Sequence, residues 1–182
     1  GWLAATMIEA RGLLGEAWEE LYCAAPIWRF WLGDGVVAGG AIGLMMPSVD
    51  GVGRYFPLCL FAWGAEGGLE GPERCAYDGW FSAAEDFVLA ALDEKAALVA
   101  TVEQFDRLPV PRTLVGDARG AIRTTGLSGS AIAISLAPGD RRSESVWWTV
   151  GGGHHRPQAF AVPGLPAGSA FAGMVAASPG GA

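Results

Sequence analysis

Three side chains that could do chemistry lie close together in the segment MPSVDGVGRYFPL, residues 46–58. Ser48 offers a hydroxyl, Asp50 a carboxylate and Arg54 a guanidinium, a set that could support nucleophilic or acid–base chemistry with a histidine from elsewhere. Asp50 and Arg54 could instead pair as a buried clasp between two core strands, or Arg54 and Tyr55 could belong to a recognition surface. The prolines and glycines of the segment favour the clasp, because they are typical of a rigid turn.

No other motif meets the requirements of a catalytic or nucleotide-binding site. GDGVVA, residues 33–38, has the spacing of a dinucleotide fingerprint, but a strand pattern follows it instead of a helix, so it predicts a hairpin turn. GLSGS, residues 126–130, lacks the final glycine of a hydrolase elbow. His154 and His155 are adjacent, and neighbouring side chains in an extended loop point to opposite sides, which disfavours chelation of one metal. We therefore predict no cofactor and no metal.

The composition is that of a packed globular protein with an acidic surface. The apolar fraction is 51% and the net charge is −7, which argues against nonspecific binding to nucleic acid or to anionic membranes. No apolar run reaches the roughly 18 residues of a membrane span, and no signal peptide is visible. The cysteines show no metal-ligand spacing and are predicted to be reduced, partly buried thiols: Cys23, Cys59 and Cys75. Four helix carboxylates are predicted to form a solvated face: Glu85, Asp86, Asp93 and Glu94.

The elements that must position these residues follow from hydrophobic periodicity. Helical spacing covers residues 2–22 and 77–92, continues in a further stretch to about Arg107, and returns in a short helix over 167–177. IWRFWL, AIGLMM and PLCLFAW are strand patterns that are apolar on both faces, which is typical of interior strands covered on both sides. AIAISLA and SVWWTV add two strands, whereas residues 112–129 show no strong pattern.

These elements predict one α/β domain over residues 1–177, followed by a flexible tail over 178–182. Short links join the early strands, so at least part of the sheet should be antiparallel. The expected architecture is a three-layer α/β/α sandwich with a mixed, partly antiparallel sheet of about five strands.

Two of these segments resemble a known family. APIWRFWL contains an x-P-x-W-R-F element, and MPSVDGVGRYFPL contains M-P-S-V-D-x-V-G-R-Y-F-P. With the WF…A helix and the late WWT strand, they resemble the TagF family of accessory proteins encoded with bacterial type VI secretion systems. The resemblance covers residues 1–107 and, beyond them, only VWWT and GLP. Family members usually open with a short strand that ends near a Gly-Lys-Leu-Pro element, so an N-terminal strand is expected to be missing from this chain.

The resemblance implies a cytoplasmic, non-enzymatic regulator that represses type VI secretion after translation by binding a forkhead-associated scaffold protein. The family offers no established catalytic set. Its motif residues in this sequence are expected to be structural or partner-binding: Trp28, Arg29, Phe30, Pro47, Ser48, Asp50, Gly53, Arg54, Tyr55, Phe56 and Pro57. The alternative is a hydrolase-like enzyme that acts on a secretion-system component through the Ser48/Asp50/Arg54 loop.

Overall fold

The part of the chain that the structure describes forms a five-stranded sheet and a separate two-stranded hairpin. A computed structural model describes residues 1–64, 69–72, 77–91, 121–125, 131–152 and 155–176. In chain order, the strands are β1 Trp28–Leu32, β2 Ala41–Met46, β3 Leu58–Trp63, β4 Ala121–Thr125, β5 Ala131–Ser135, β6 Glu144–Thr149 and β7 Gln158–Pro163. The main sheet has the order β3-β2-β1-β6-β7, β4 pairs with β5, and every neighbouring pair of these strands is antiparallel. The α/β class is therefore confirmed, whereas the predicted mixed sheet is wrong.

The described residues contain four α-helices: α1 Trp2–Leu14, α2 Trp18–Ala24, α3 Asp78–Ala91 and α4 Gly168–Val175. The helix predicted over residues 2–22 is interrupted, because Gly15 has a φ of 55° and a 3-10 turn, Gly15–Ala17, joins α1 to α2. Glycine adopts this left-handed φ without a steric penalty, and such a residue leaves the helical hydrogen-bond ladder. The helical stretch expected up to Arg107 and the tail over 178–182 lie outside the described residues.

The two faces of the sheet pack into separate hydrophobic clusters. On one face, α1, α2 and α4 cover Trp28 and Phe30. On the other face, α3 and the β4–β5 hairpin cover Trp31 and Trp148. The predicted alternation of side chains along β1 is confirmed. The predicted layer of helices on each side of the sheet is not confirmed, because the β4–β5 hairpin shares the second face with α3.

The strand β3 lies at an edge of the sheet, although its pattern predicted an interior strand. Phe61 and Trp63 are 44% and 58% exposed, and their rings meet edge to face with centroids 5.2 Å apart. Alternating apolar residues do not distinguish an edge from an interior strand, because the neighbouring strand is chosen by distant parts of the chain. The strand β4 lies within residues 112–129, where the sequence showed no strong pattern.

Candidate interaction surface

Residues 47–57 form the tip of the β2–β3 hairpin rather than an independent loop. Three residue pairs continue the ladder beyond the strands without a change of register: Ser48 with Phe56, Val49 with Tyr55 and Asp50 with Arg54. They leave a loop of only residues 51–53, in which Gly53 has a φ of 81°. A glycine in this left-handed position is the usual last residue of a hairpin loop of this length. The hairpin tip is therefore a rigid extension of two core strands.

Replacing Gly53 with alanine is expected to lower the free energy of unfolding by about 1–2 kcal/mol, because an L-residue is strained at this φ. An added Cβ would meet no atom within 4 Å at Gly53 or at Gly51, and only Gly53 has a positive φ. The control Gly51→Ala should therefore stay within about 0.5 kcal/mol of the parent. Urea unfolding of both variants measures the difference, and equal losses would contradict the assigned cause.

The side chain of Asp50 accepts hydrogen bonds that hold the loop of the hairpin tip together. Its Oδ1 accepts the N–H groups of Val52 at 3.0 Å and Arg54 at 2.9 Å, and its Oδ2 accepts Nε of Arg54 at 2.7 Å. The Arg54 side chain is 80% exposed. The predicted Asp50–Arg54 pair is thus present, but the prediction that it is buried is wrong, because the hairpin carries the pair beyond the core.

These hydrogen bonds lower the pKa of Asp50 below its usual value of 3.8, with the N–H of Arg54 as the largest cause and the Arg54 side chain second. Because the folded pKa lies below the unfolded one, the contribution to stability is present above the unfolded pKa and is lost as the pH falls through the folded pKa. We expect Arg54→Ala to raise the pKa of Asp50 only part of the way, since the backbone donors remain. An NMR titration of the Asp50 carboxyl tests this, and a complete return to 3.8 would assign the whole effect to the guanidinium.

Ser48 is held by its backbone rather than by its hydroxyl. Its N–H donates to the Tyr22 hydroxyl at 3.2 Å, and that hydroxyl donates to the Ser48 carbonyl at 3.3 Å. Burial raises the pKa of Tyr22 to about 12, so the hydroxyl keeps its proton. The Tyr22 ring lies 5.1 Å from that of Trp18 and meets Tyr55 edge to face at 5.5 Å. These aromatic contacts fix the hairpin tip against α2.

A groove of about 440 Å³ lies between α1, the first residues of α2 and the hairpin tip, and we call it the α1–tip groove. Its apolar walls are Met7 and Ile8 of α1, Trp18 of α2, and Tyr55 and Phe56 of the tip. Ile8 is 75% exposed and Phe56 is 52% exposed. Single exposed apolar side chains are ordinary, but a cluster of them around a concavity is typical of an interaction site.

Charged side chains frame the α1–tip groove. Arg11 and Glu19 line it from the helices and Arg54 from the hairpin tip. The Arg11 guanidinium and the Glu19 carboxylate are 4.0 Å apart, and both side chains are largely exposed. Partial desolvation, followed by the negative charge of Glu19, raises the pKa of the Tyr55 hydroxyl. The groove therefore combines an apolar floor with two guanidinium groups and one carboxylate at its rim.

Several of the other motif residues lie in the core and stabilise the fold. Trp28 is 3% exposed, and its indole N–H donates to the Met174 carbonyl at 3.1 Å. Phe30 packs against a tryptophan ring of β6 with centroids 4.9 Å apart. At the two ends of the hairpin tip, Pro47 is half-buried and Pro57 is buried. Only the tip residues of the motif are thus available to a partner.

Arg29, in the middle of β1, is a buried charge with several partners, and only 3% of it is exposed. Its Nε donates to Oε1 of Glu85 at 2.7 Å. One terminal nitrogen donates to Oγ1 of Thr124 at 2.8 Å and lies 3.4 Å from Oδ1 of Asp78. The guanidinium carbon stands 5.1 Å from the centroid of the Phe81 ring, which adds a cation–π contact.

This charge network joins β1 to α3 and to the β4–β5 hairpin. The Thr124 hydroxyl donates in turn to Oδ1 of Asp78 at 2.6 Å. The prediction that Glu85 belongs to a solvated face is wrong, because its carboxylate pairs with Arg29. The sequence did contain a signal for this ion pair. Arg29 lies inside a strand that is apolar on both faces, and a buried guanidinium needs a compensating charge.

The remaining candidate groups have structural contacts or lie outside the described residues. Nε2 of His155 donates to the Ala24 carbonyl at 2.7 Å. Burial raises the pKa of Cys59 to about 11, so its thiol stays protonated. In the described part of the chain, no cluster of three acidic, cysteine or histidine residues could hold a metal ion, and no helix is long and apolar enough to cross a membrane. His154, Cys75 and the GLSGS segment fall outside those residues.

Fold and surface together define an α/β protein with an antiparallel sheet that presents a rigid hairpin tip beside two helices. Residues 1–108 match the family described as the TagF N-terminal domain, Type VI secretion system-associated. The chain therefore belongs to the TagF family, and the resemblance inferred from its motifs is confirmed. The matched part contains β1, β2, β3 and both characteristic segments, and hence the α1–tip groove.

A solved structure is similar over nearly the whole chain. The crystal structure of PA0076 from Pseudomonas aeruginosa PAO1 superposes with a TM-score of 0.69 at 26% sequence identity. The alignment covers 96% of this chain and 80% of that chain. No curated protein matches the sequence. The structural similarity thus includes the C-terminal strands and α4, which lie beyond the residues that the family model matches.

Proposed function

We propose that this protein is a cytoplasmic regulator of type VI secretion that represses the apparatus after translation, and that its partner is a forkhead-associated scaffold protein. The match to a type VI secretion system-associated family supports a role in type VI secretion. Repression results from occupancy of the partner, so no bond is made or broken by this protein.

The α1–tip groove is the feature of the structure that supports a binding role. Ile8 and Phe56 are exposed apolar side chains on opposite sides of it, and charged groups surround them. An apolar centre inside a polar rim is the usual anatomy of a surface that binds proteins. The hydrogen bonds of Asp50 hold one wall in place, so little conformational entropy is lost when a partner binds.

The hydrolase alternative would need Ser48, Asp50 and a histidine in one constellation. A general base must reach the proton that it removes. Among the described residues, the Asp50 carboxylate is directed to three donors of the hairpin tip, and Ser48 contacts Tyr22 through its backbone. These contacts favour a protein that acts by binding, and we propose that it has no catalytic activity.

The test uses the purified protein and the forkhead-associated scaffold encoded with the same secretion system. Biolayer interferometry is expected to show saturable binding. In cells, deletion of the gene should raise the amount of a type VI substrate in the medium, and overexpression should lower it. Absence of binding by the wild-type protein would contradict the choice of partner, and unchanged secretion in both strains would contradict the repressor role.

A further inference from the structure

We infer that the α1–tip groove binds a peptide segment of a protein partner in which an apolar anchor side chain stands next to a carboxylate. This inference rests on the proposed binding role and specifies the chemistry that the groove recognises. The apolar walls provide the site for the anchor, and the two guanidinium groups at the rim provide the site for the acid.

The apolar part of the site is large enough for an anchor. The volume of about 440 Å³ falls within the range of about 300–1,000 Å³ that is common for ligand pockets. Met7 and Ile8 of α1, Trp18 of α2 and Phe56 of the hairpin tip contribute to its lining. Trp18 is 2% exposed and packed against Tyr22, so the floor is held in place before a partner arrives. A leucine, isoleucine or phenylalanine side chain would bury apolar surface of both the α1 wall and the hairpin tip.

The charge of the rim favours an acidic neighbour beside that anchor. Among the residues that line the groove, two arginines stand against one glutamate, although the chain as a whole carries −7. Arg54 uses Nε for Asp50, and both Asp50 oxygens already accept bonds within the hairpin tip. The Arg54 side chain is 80% exposed, so its guanidinium is accessible to a ligand.

Arg11 is also accessible to a ligand. Its contact with Glu19 is 4.0 Å long, beyond hydrogen-bond distance, and its side chain is 65% exposed. A guanidinium presents paired N–H groups that match the two oxygens of a carboxylate. Nucleic acid would also supply anions, but the net charge of −7 repels a polyanion and an apolar groove offers it no complement.

Selection from a display library of random linear peptides against the intact protein tests the inference without the scaffold. We expect the enriched peptides to share an aliphatic or aromatic residue next to aspartate or glutamate. The best one, synthesised with a fluorescent label, should bind about tenfold more weakly to Arg11→Glu and to Arg54→Glu, because like charges then face each other. Added salt should weaken binding to the wild type.

The matched control is Arg142→Glu, which reverses an arginine that is 77% exposed and outside the groove, and it should leave the affinity unchanged. Arg54→Gln removes the charge without placing an acid beside Asp50, and it should give an intermediate loss. Enrichment of peptides without acids, equal binding to all variants, or self-association of the protein through the groove would overturn the inference. Because the scaffold is absent from this experiment, a negative result here leaves the proposed function to be decided by its own test.

Discussion

Replacing Arg29 with methionine is expected to lower the free energy of unfolding by about 3–5 kcal/mol. The substitution keeps an apolar stem but removes the guanidinium, so the carboxylates of Glu85 and Asp78 lose their common cation. Urea unfolding followed by tryptophan fluorescence measures the change. The melting temperature should fall by roughly 2–4 °C for each kcal/mol lost.

Two further variants separate the loss of this network from the loss of a positive charge. Arg142→Met removes an exposed guanidinium that lies 3.4 Å from Asp34, and it should cost less than about 1 kcal/mol. Adding Asp78→Asn and Glu85→Gln to Arg29→Met should restore more than about 1 kcal/mol, because no buried carboxylate is then uncompensated. An Arg29→Met protein as stable as the parent would show that the network does not stabilise the fold.

Placing a charge in the apolar centre of the α1–tip groove is expected to weaken binding of the scaffold partner by about 30-fold or more. Ile8→Glu and Phe56→Asp both do this at exposed positions, so the unfolding free energy should change little. The physical reason is that an apolar side chain of the partner would then meet a hydrated carboxylate, which loses its water when the partner binds. Biolayer interferometry measures the loss, and circular dichroism confirms that the variants are folded.

The matched control for these variants is Leu89→Asp. Leu89 is 52% exposed on α3, which covers the opposite face of the sheet, so its substitution adds the same charge far from the groove. We expect it to bind as the wild type does. Equal losses in Leu89→Asp and Phe56→Asp would mean that added negative charge, and not the groove, controls the interaction.

The parts of this structure that could be predicted depend on side chains near one another in the sequence. The alternation along β1 and the apolar stripe of α3 are set by residues two to four positions apart, and both are confirmed. The Asp50–Arg54 pair was predicted on the same basis, since only four positions separate its members. The motif segments also identified the family, because APIWRFWL and MPSVDGVGRYFPL combine residue types that periodicity alone does not require.

The parts that could not be predicted depend on residues that are distant in the sequence. The partners of Arg29 lie 49, 56 and 95 positions away, so no local pattern names them. Tyr22 lies 26 positions from Ser48, and this contact explains why the serine is held by its backbone. The position of β3 at an edge likewise depends on distant residues. The sheet continues from β2 through β1 to β6, which is far along the chain, and β3 is left at the other end.

From its sequence alone, this chain specifies its family, its α/β class and a turn between two strands that carries serine, aspartate and arginine. Whether those three residues serve chemistry, packing or recognition depends on which parts of the protein lie next to the hairpin tip. In the structure these neighbours are α1 and α2, which line a groove together with the tip. Packing of α1 and α2 beside the hairpin tip creates the groove and leaves Arg54 in solvent, whereas α3 and the β4–β5 hairpin bury Arg29 on the other face of the sheet. Burial depends on how the layers of the fold pack together. Arg29 and Arg54 both lie in segments typical of the family, but Arg29 is buried and Arg54 is exposed.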